Sequence, residues 1–194
     1  GTLEKNGPTE AAHSFFSKSR YPYLALCLYN LVPSCSVCNQ AKSALDPMRD
    51  HPLLYPYEEE FGEKIVFKLE LRDKTDFVQK MQGNSSKIRV KIQNPAPQSN
   101  FGKKVKQQER TLHLTDLYSE HGDYVADILK SYHINTQARI EELLQCFPDI
   151  FSTPEEIRRL MFMNYIDRDQ WGKRPLSKLT HDICLELDSL RVNM

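Results

Sequence analysis

The sequence predicts an α+β protein of two domains: residues 1–110, rich in strands and turns, and residues 111–194, a helical C-terminal module. In the first domain, apolar and charged residues alternate along two short segments, which is the period of a half-buried strand. In the second domain, apolar residues recur every three or four positions, the period of an amphipathic helix. The apolar pattern changes from the strand period to the helix period near residue 110, so we place the predicted domain boundary there.

Three strands are predicted in the first domain. Residues 23–32 form an apolar run that Pro33 is expected to end. Residues 65–72 and residues 88–92 alternate apolar with charged side chains, so we expect them to pair as antiparallel neighbours. Residues 93–108 contain prolines, a glycine and several side-chain amides, and are therefore predicted to be a loop.

A turn and a short helix are predicted over residues 35–45, because Asp46-Pro47 disfavours helix beyond that point. Four further helices are predicted in the C-terminal module, from apolar stripes within residues 114–132, 140–147, 157–165 and 176–190. The third has a start signal, Thr153-Pro154 followed by two acidic residues. We expect these stripes to form the core.

The charge balance excludes a protein that coats nucleic acid through global charge. Lysine plus arginine total 26 and aspartate plus glutamate total 26, so the formal net charge is zero. A local basic surface is still compatible with this balance, and residues 87–110 carry seven positive charges. The predicted nucleic-acid-binding residues are Lys18, Arg20, Lys87, Arg89, Lys91, Lys103, Lys104 and Lys106. The alternative for the 87–110 segment is a solvated strand face and loop.

The sequence favours a cytoplasmic protein that does not enter a membrane. It has no apolar run of about 18 residues, and residues 1–14 lack the apolar stretch of a signal peptide. Five cysteines, an odd number spread over a long chain, make a poor disulfide framework. Cys35 and Cys38 stand apart, because a Cys-x-x-Cys pair suits a structural zinc site. The alternative is two reduced cysteines at a turn.

The segment from residue 13 to residue 47 contains the residues suited to chemistry. His13 precedes the apolar run, and Asn39 and Lys42 lie three positions apart, on one face of the predicted short helix. A histidine that accepts a proton from water, beside a carboxamide that helps to hold a divalent ion, can hydrolyse a phosphodiester bond.

The pattern Asn-Leu-x-x-x-Cys-x-x-Cys-Asn-x-x-Lys, which runs from Asn30 to Lys42, resembles the HNH endonucleases of the ββα-metal fold. The flanking segments SFFSKSRYPYLALCLYNLVPSC, LYPYEEEFGEKIVFKL and GKRPLSKLTHDI are similar to one branch of that family. The resemblance covers residues 13–190. It implies a ββα-metal core near residues 13–47, extended by an antiparallel strand pair and followed by the helical module.

The resemblance also implies a function and a set of roles. The activity would be metal-dependent hydrolysis of DNA, in bacterial antiviral defence and beside an ATPase or other protein partner docked on the helical module. His13 would be the catalytic histidine, and Asn30 would brace its loop. Asn39 would help to hold Mg²⁺ or Mn²⁺, and Lys42 would approach the phosphate. Cys35 and Cys38 would supply half of a structural Zn²⁺ site.

The sequence departs from the family pattern at two places, and the first departure, a missing aspartate, favours an alternative function. The family's Asp-His pair falls either on His13-Ser14 or, after a slip of one residue, on Ala12-His13, and neither alignment supplies the aspartate. Hard cations such as Mg²⁺ prefer anionic oxygen, so the cation site would lack its best ligand. The family's upstream Cys-x-x-Cys is also missing. The alternative is a catalytically inactive zinc-knuckle scaffold that acts as a DNA- or protein-binding adaptor.

Overall fold

The computed structural model describes residues 11–49, 52–70 and 88–192. The described residues form two compact units: residues 11–49, 52–65 and 94–114 belong to unit 1, and residues 66–70, 88–93 and 115–192 belong to unit 2. Two small antiparallel sheets and predominantly helical remaining segments confirm the predicted α+β class. The proposed domain boundary at residue 110 stays a prediction.

Unit 1 contains a strand pair followed by a helix. Strand β1 (Ala11–Ser14) pairs antiparallel with β2 (Leu31–Ser34), and helix α1 (Ser36–Lys42) follows at once. The helix begins where Cys35 accepts a hydrogen bond from the main-chain N–H of Cys38. It lies within the predicted 35–45 segment, which confirms that prediction.

The predicted strand over residues 23–32 is wrong for most of its length. Two short 3-10 turns, Pro22–Leu24 and Leu28–Asn30, occupy it instead, and only the last residues join β2. Pro22 fixes a turn geometry at the start, and the Asn30 side-chain amide binds the carbonyl of Leu24, so the backbone is satisfied locally. Pro33 lies inside β2 rather than ending it.

The predicted loop over residues 93–108 is also wrong, because helix α2 (Asn100–Leu112) covers most of it. The Ser99 hydroxyl caps this helix by accepting a 2.9 Å hydrogen bond from the N–H of Gly102. A Cβ at Gly102 would lie 1.9 Å from the main-chain oxygen of Ala96, so only glycine fits this contact. Helix α2 packs near α1, and Val105 is buried in the core of unit 1.

Unit 2 contains the predicted antiparallel pair, β3 (Val66–Leu69) with β4 (Val90–Gln93). Phe67, Leu69 and Val90 are buried as the alternation predicts. Leu71, which the prediction placed on the same face, lies outside the described residues.

Helices cover unit 2 after residue 114: α3 (Leu114–Ser119), α4 (Gly122–Ile134), α5 (Gln137–Cys146), α6 (Pro154–Met161) and α7 (Ser177–Val192). In this part of the chain the sequence predicts four helices, and the structure has five α-helices because the first stripe breaks near Glu120. The Thr153 hydroxyl caps α6 and Pro154 lies in its first turn, as predicted. Within the described residues, none of the helices is long and apolar enough to cross a bilayer.

Carboxylates of α7 bind the outer edge of β3. The N–H of Phe67 donates to Asp182 Oδ2 at 2.9 Å, and the N–H of Leu69 donates to Glu186 Oε2 at the same distance. Asp182 and Glu186 are four positions apart and therefore share a face of α7. Phe67 and Leu69 are two positions apart and therefore share an edge of β3, so the two carboxylates can reach the two N–H groups. On β4, the N–H of Val90 donates to the hydroxyl of Ser119 at 3.2 Å.

Candidate functional site

A cavity of about 360 Å³ in unit 1 contains most of the predicted catalytic residues. Its walls come from β1, β2, α1, α2 and the segment after α1. Residues from the predicted site that line it are His13, Cys35, Cys38, Asn39 and Lys42. His13 and the Asn39 carboxamide are 26 positions apart in sequence and line the same cavity. A shared site, as predicted, requires this proximity.

Two lining residues of β1 carry polar atoms without partners. His13 Nε2 and Ser14 Oγ are buried, and neither has a hydrogen-bond partner among the described residues. A buried polar atom left unsatisfied costs about 1–3 kcal/mol. Two such atoms on adjacent residues of one cavity wall indicate a place suited to a polar ligand.

Lys42 joins α1 to β1. Its ammonium donates a 2.8 Å hydrogen bond to the main-chain oxygen of Ser14, and burial lowers the pKa of the Lys42 amine. No ion pair joins Lys42 to an acidic side chain in the part of the chain that the structure describes. The cavity therefore contains one partly desolvated cation that an anionic ligand would stabilise.

Asn30 is buried and does not line the cavity. Its Oδ1 accepts a 2.6 Å hydrogen bond from the N–H of Phe16, and its Nδ2 donates to the carbonyls of Phe16 and Leu24. The main-chain oxygen of Asn30 accepts a further bond from the N–H of Phe15. Three of these bonds fix the backbone just after Ser14 and the fourth fixes Leu24, so Asn30 acts as a brace for the loop.

The two cysteines at the start of α1 differ in environment. Hydrogen bonds from the main-chain N–H of Cys38 lower the pKa of the Cys35 thiol, whereas burial raises the pKa of the Cys38 thiol to about 11. A structural zinc ion needs four ligands. No cluster of three or more His, Cys, Asp or Glu side chains suited to a metal occurs among the described residues. Cys35 and Cys38 therefore have no further zinc ligands among the residues that the structure describes.

The cavity does not fit a hard divalent cation either. Its polar lining offers one imidazole, two hydroxyls, two carboxamides, two thiols and the Lys42 ammonium, and no aspartate or glutamate among the described residues contributes to it. The buried Asp46 is engaged elsewhere in unit 1. It accepts hydrogen bonds from the Tyr21 hydroxyl and from two main-chain N–H groups, and these bonds lower the pKa of its carboxyl.

The predicted nucleic-acid-binding residues fall into different environments. Lys18 and Arg20 are exposed on the loop between β1 and β2, where Arg20 lies 3.7 Å from Asp46. Lys103 and Lys106 are exposed on α2, but Lys104 forms a 2.8 Å ion pair with Glu59 and is thereby neutralised. The three remaining positions are Arg89 and Lys91, exposed in unit 2, and Lys87, which lies outside the described residues.

One lining residue has no signal in the sequence. Gln108 lines the cavity from α2, and its Oε1 accepts a 3.0 Å hydrogen bond from the N–H of Leu54. Sequence analysis assigned this segment to a loop, so it gave no reason to place Gln108 near His13.

Comparisons of the chain with protein-family models, curated proteins and solved structures find no match.

Proposed function

We propose that unit 1 is an HNH-type scaffold that binds DNA without hydrolysing it. The observation that carries this proposal is the donor set of the cavity, which combines His13, Asn39 and Lys42 and, among the described residues, includes no carboxylate. An HNH-type reaction relies on a divalent cation to neutralise charge on the phosphate and the leaving oxygen. A cation of that kind prefers anionic oxygen, and the positive charge of Lys42 opposes its entry.

The order of elements supports the scaffold part of the proposal. An antiparallel strand pair, β1 with β2, leads directly into α1, which is the order that the resemblance to ββα-metal nucleases implies. Asn30 braces the loop after β1, in the role that the resemblance implies for it.

The positive charges of unit 1 support DNA as the ligand. Among the described residues Lys42 lines the cavity without an acidic partner, and Lys18 is exposed on the loop that follows β1. Arg20 is exposed on the same loop, 3.7 Å from Asp46. Phosphate groups of a DNA backbone are the ligand that such cations bind most generally. His13 Nε2 and Ser14 Oγ, which have no hydrogen-bond partner among the described residues, can form hydrogen bonds with the same ligand.

The test is a paired measurement of binding and cleavage. Binding of a labelled duplex is followed by anisotropy, and cleavage of a supercoiled plasmid is measured with Mg²⁺ or Mn²⁺. We expect the natural chain to bind and not to cut, and we expect Lys18→Gln with Lys42→Met to weaken binding. Glu60→Gln is a control, because it changes an exposed charge of the same unit that does not line the cavity.

Restoring the family pattern sharpens the test. His13→Asp with Ser14→His rebuilds the Asp-His pair in one alignment, and Ala12→Asp rebuilds it in the other. Cleavage gained by either variant would support the HNH-type scaffold and identify the alignment. Metal-dependent cleavage by the natural chain, abolished by His13→Ala, would refute the non-cutting proposal. Absence of DNA binding would refute the DNA-binding part.

The second candidate is an active endonuclease, with antiviral defence and an ATPase partner as the setting that the resemblance implies. The observation that favours it is the unpartnered Nε2 of His13, which shares a cavity with Asn39 and Lys42. An imidazole in that position could accept a proton from an attacking water. The plasmid assay with the natural chain separates this candidate from the first.

A further inference from the structure

Three cations in unit 2 surround one aromatic ring. Lys173 Nζ lies 5.2 Å from the centroid of the Tyr165 ring, and the guanidinium carbons of Arg174 and Arg159 lie at 5.3 and 5.7 Å. Arg159 comes from α6, and the other two come from the end of the 3-10 turn Arg168–Lys173 and the residue after it. All three cations are exposed, and the ring is half-buried. We call this group the Tyr165 cluster.

The cations of the cluster have few direct partners in the protein. None of its three cations forms an ion pair with an acidic side chain among the described residues. Arg174 donates one hydrogen bond, at 2.7 Å, to the main-chain oxygen of Met163, which leaves its charge in place. Each cation–π contact at an exposed site stabilises by only about 0.5–1 kcal/mol. Like charges gathered at distances near the Debye length of about 10 Å repel one another, and a bound anion would relieve that repulsion.

Acidic residues adjoin the cluster without pairing with it. A cavity of about 360 Å³ beside the ring is lined by Glu155, Glu156 and Asp167 as well as by Arg159 and Lys173. Glu156 is engaged at the start of α6, where its carboxylate accepts a hydrogen bond from the N–H of Ser152. With Arg158, the described lining contains three basic and three acidic side chains, so a broad acidic surface laid over the cavity would meet both signs of charge. A ligand with separate, compact charges suits this region better than a broad acidic surface.

We propose that the Tyr165 cluster is a contact site for the phosphodiester backbone of a nucleic acid. Arginine guanidinium groups and lysine ammonium groups are the side chains that bind phosphate oxygens most often, through charge-assisted hydrogen bonds. Three of them, from two segments of chain, converge on one point of the surface of unit 2. This site goes beyond the proposed function, because it involves neither the cavity of unit 1 nor its basic loop.

The experiment uses a matched pair of double variants of the full chain. Arg159→Gln/Lys173→Gln removes two cluster charges that have no hydrogen-bond partner in the described structure. Lys130→Gln/Arg139→Gln removes the same residue types from exposed ion pairs with Asp127 and Glu142 in unit 2. Binding of a labelled oligonucleotide is measured by anisotropy between about 50 and 200 mM salt. A thermal melt confirms that both variants fold.

We expect the cluster variant to bind at least about tenfold more weakly at 100 mM salt and the control variant to change by less than about twofold. The slope of log affinity against log salt should fall by about 2 in the cluster variant, since two phosphate contacts are lost. Equal affinities for the two variants would overturn the proposal. Labelled polyglutamate is measured as a second probe. A cluster variant that loses polyglutamate binding and keeps oligonucleotide binding would also overturn the proposal, because the ligand would then be an acidic peptide.

Failure here is distinguishable from failure of the proposed function. If Lys18→Gln/Lys42→Met weakens binding and the cluster variant does not, the scaffold proposal stands and this one falls. If only the cluster variant weakens binding, the Tyr165 cluster proposal stands and the scaffold proposal falls.

Discussion

Removing the Asp182 carboxylate tests how α7 is fixed to the β3–β4 sheet. This side chain is only 3% exposed, and its Oδ2 accepts hydrogen bonds from the N–H of Phe67 at 2.9 Å and from Lys178 Nζ at 2.8 Å. Asp182→Ala leaves a buried N–H without a partner and a mostly buried ammonium without its counter-charge.

The expected loss follows from these two contacts. Breaking a buried ion pair by removing one partner costs about 3–5 kcal/mol. The lower end applies, because Lys178 is 17% exposed and also lies over the rings of Phe67 and Trp171. Alanine has a better helix propensity than aspartate, which offsets about 0.5 kcal/mol of this loss. We therefore expect Asp182→Ala to lower the free energy of unfolding by about 3 kcal/mol. Asp182→Asn keeps an acceptor for Phe67 and should lose about 1–2 kcal/mol.

The assay is urea unfolding followed by tryptophan fluorescence. Trp171 is the single tryptophan of the chain and lies 4.8 Å from Lys178 Nζ, so its signal reports on unit 2. A loss of 3 kcal/mol should lower the midpoint by about 1–3 M urea. The control is Asp127→Ala on α4, which removes an exposed carboxylate paired with Lys130 and should cost less than about 0.5 kcal/mol. A loss below about 1 kcal/mol for Asp182→Ala would refute the reasoning.

Three further predictions concern packing, pH and thiol reactivity. Gly102→Ala should destabilise unit 1 by at least about 1–3 kcal/mol in a thermal melt, because the new Cβ would lie 1.9 Å from a main-chain oxygen. Burial raises the pKa of Glu186, so its contribution to stability is fully present below the unfolded pKa and declines as pH rises through the folded pKa. The stability of the natural chain relative to Glu186→Gln should therefore fall as the pH rises above the ordinary pKa of a glutamate, about 4.3. Cys35 should react with iodoacetamide at least about tenfold faster than Cys38, as read by mass spectrometry of the digested protein.

Each of these has a contrary outcome. Gly172→Ala is the glycine control, since its new Cβ would meet nothing within 4 Å, and equal effects of the two substitutions would contradict the packing argument. A stability difference for Glu186→Gln that does not vary with pH would show that the carboxyl titrates alike in both states. Faster labelling of Cys38 would contradict the assigned environments of the thiols.

The sequence predicted those elements whose signals are local. The alternation over residues 65–72 reflects one buried face, and the structure confirms β3 and its antiparallel partner β4. The Thr153 cap with Pro154 also lies within one turn of chain, and α6 begins there. Neither signal depends on contacts with distant segments, so the sequence alone was enough to predict β3, β4 and the start of α6.

The wrong predictions depend on contacts between distant segments. The apolar side chains of residues 23–32 suggest a strand, but the segment forms 3-10 turns. Its main-chain oxygens at Leu28 and Tyr29 accept hydrogen bonds from the hydroxyls of Tyr57 and Tyr55, which lie at least 26 positions away in sequence. Helix α2 contains glycine and follows two prolines, and what holds it in place includes the bond from Leu54 to Gln108, 54 positions apart. Local propensity cannot anticipate either outcome.

In the candidate site, too, the local sequence pattern predicted only part of the arrangement. The resemblance predicted that His13, Asn39 and Lys42 share one site, whereas spacing alone placed only the last two on one helix face. The Tyr165 cluster had no local signal, because Arg159 and Arg174 are 15 positions apart and meet only through the fold.

The side chains along the β3–β4 pair have a consequence for self-association. A two-stranded sheet ordinarily offers two open borders to which a strand of another molecule can add, and such addition is a common start of cross-β growth. Here main-chain N–H groups on both borders already donate to Asp182, Glu186 and Ser119. An incoming strand would first have to displace a carboxylate or a hydroxyl from its amide, so this small sheet resists recruitment into larger assemblies.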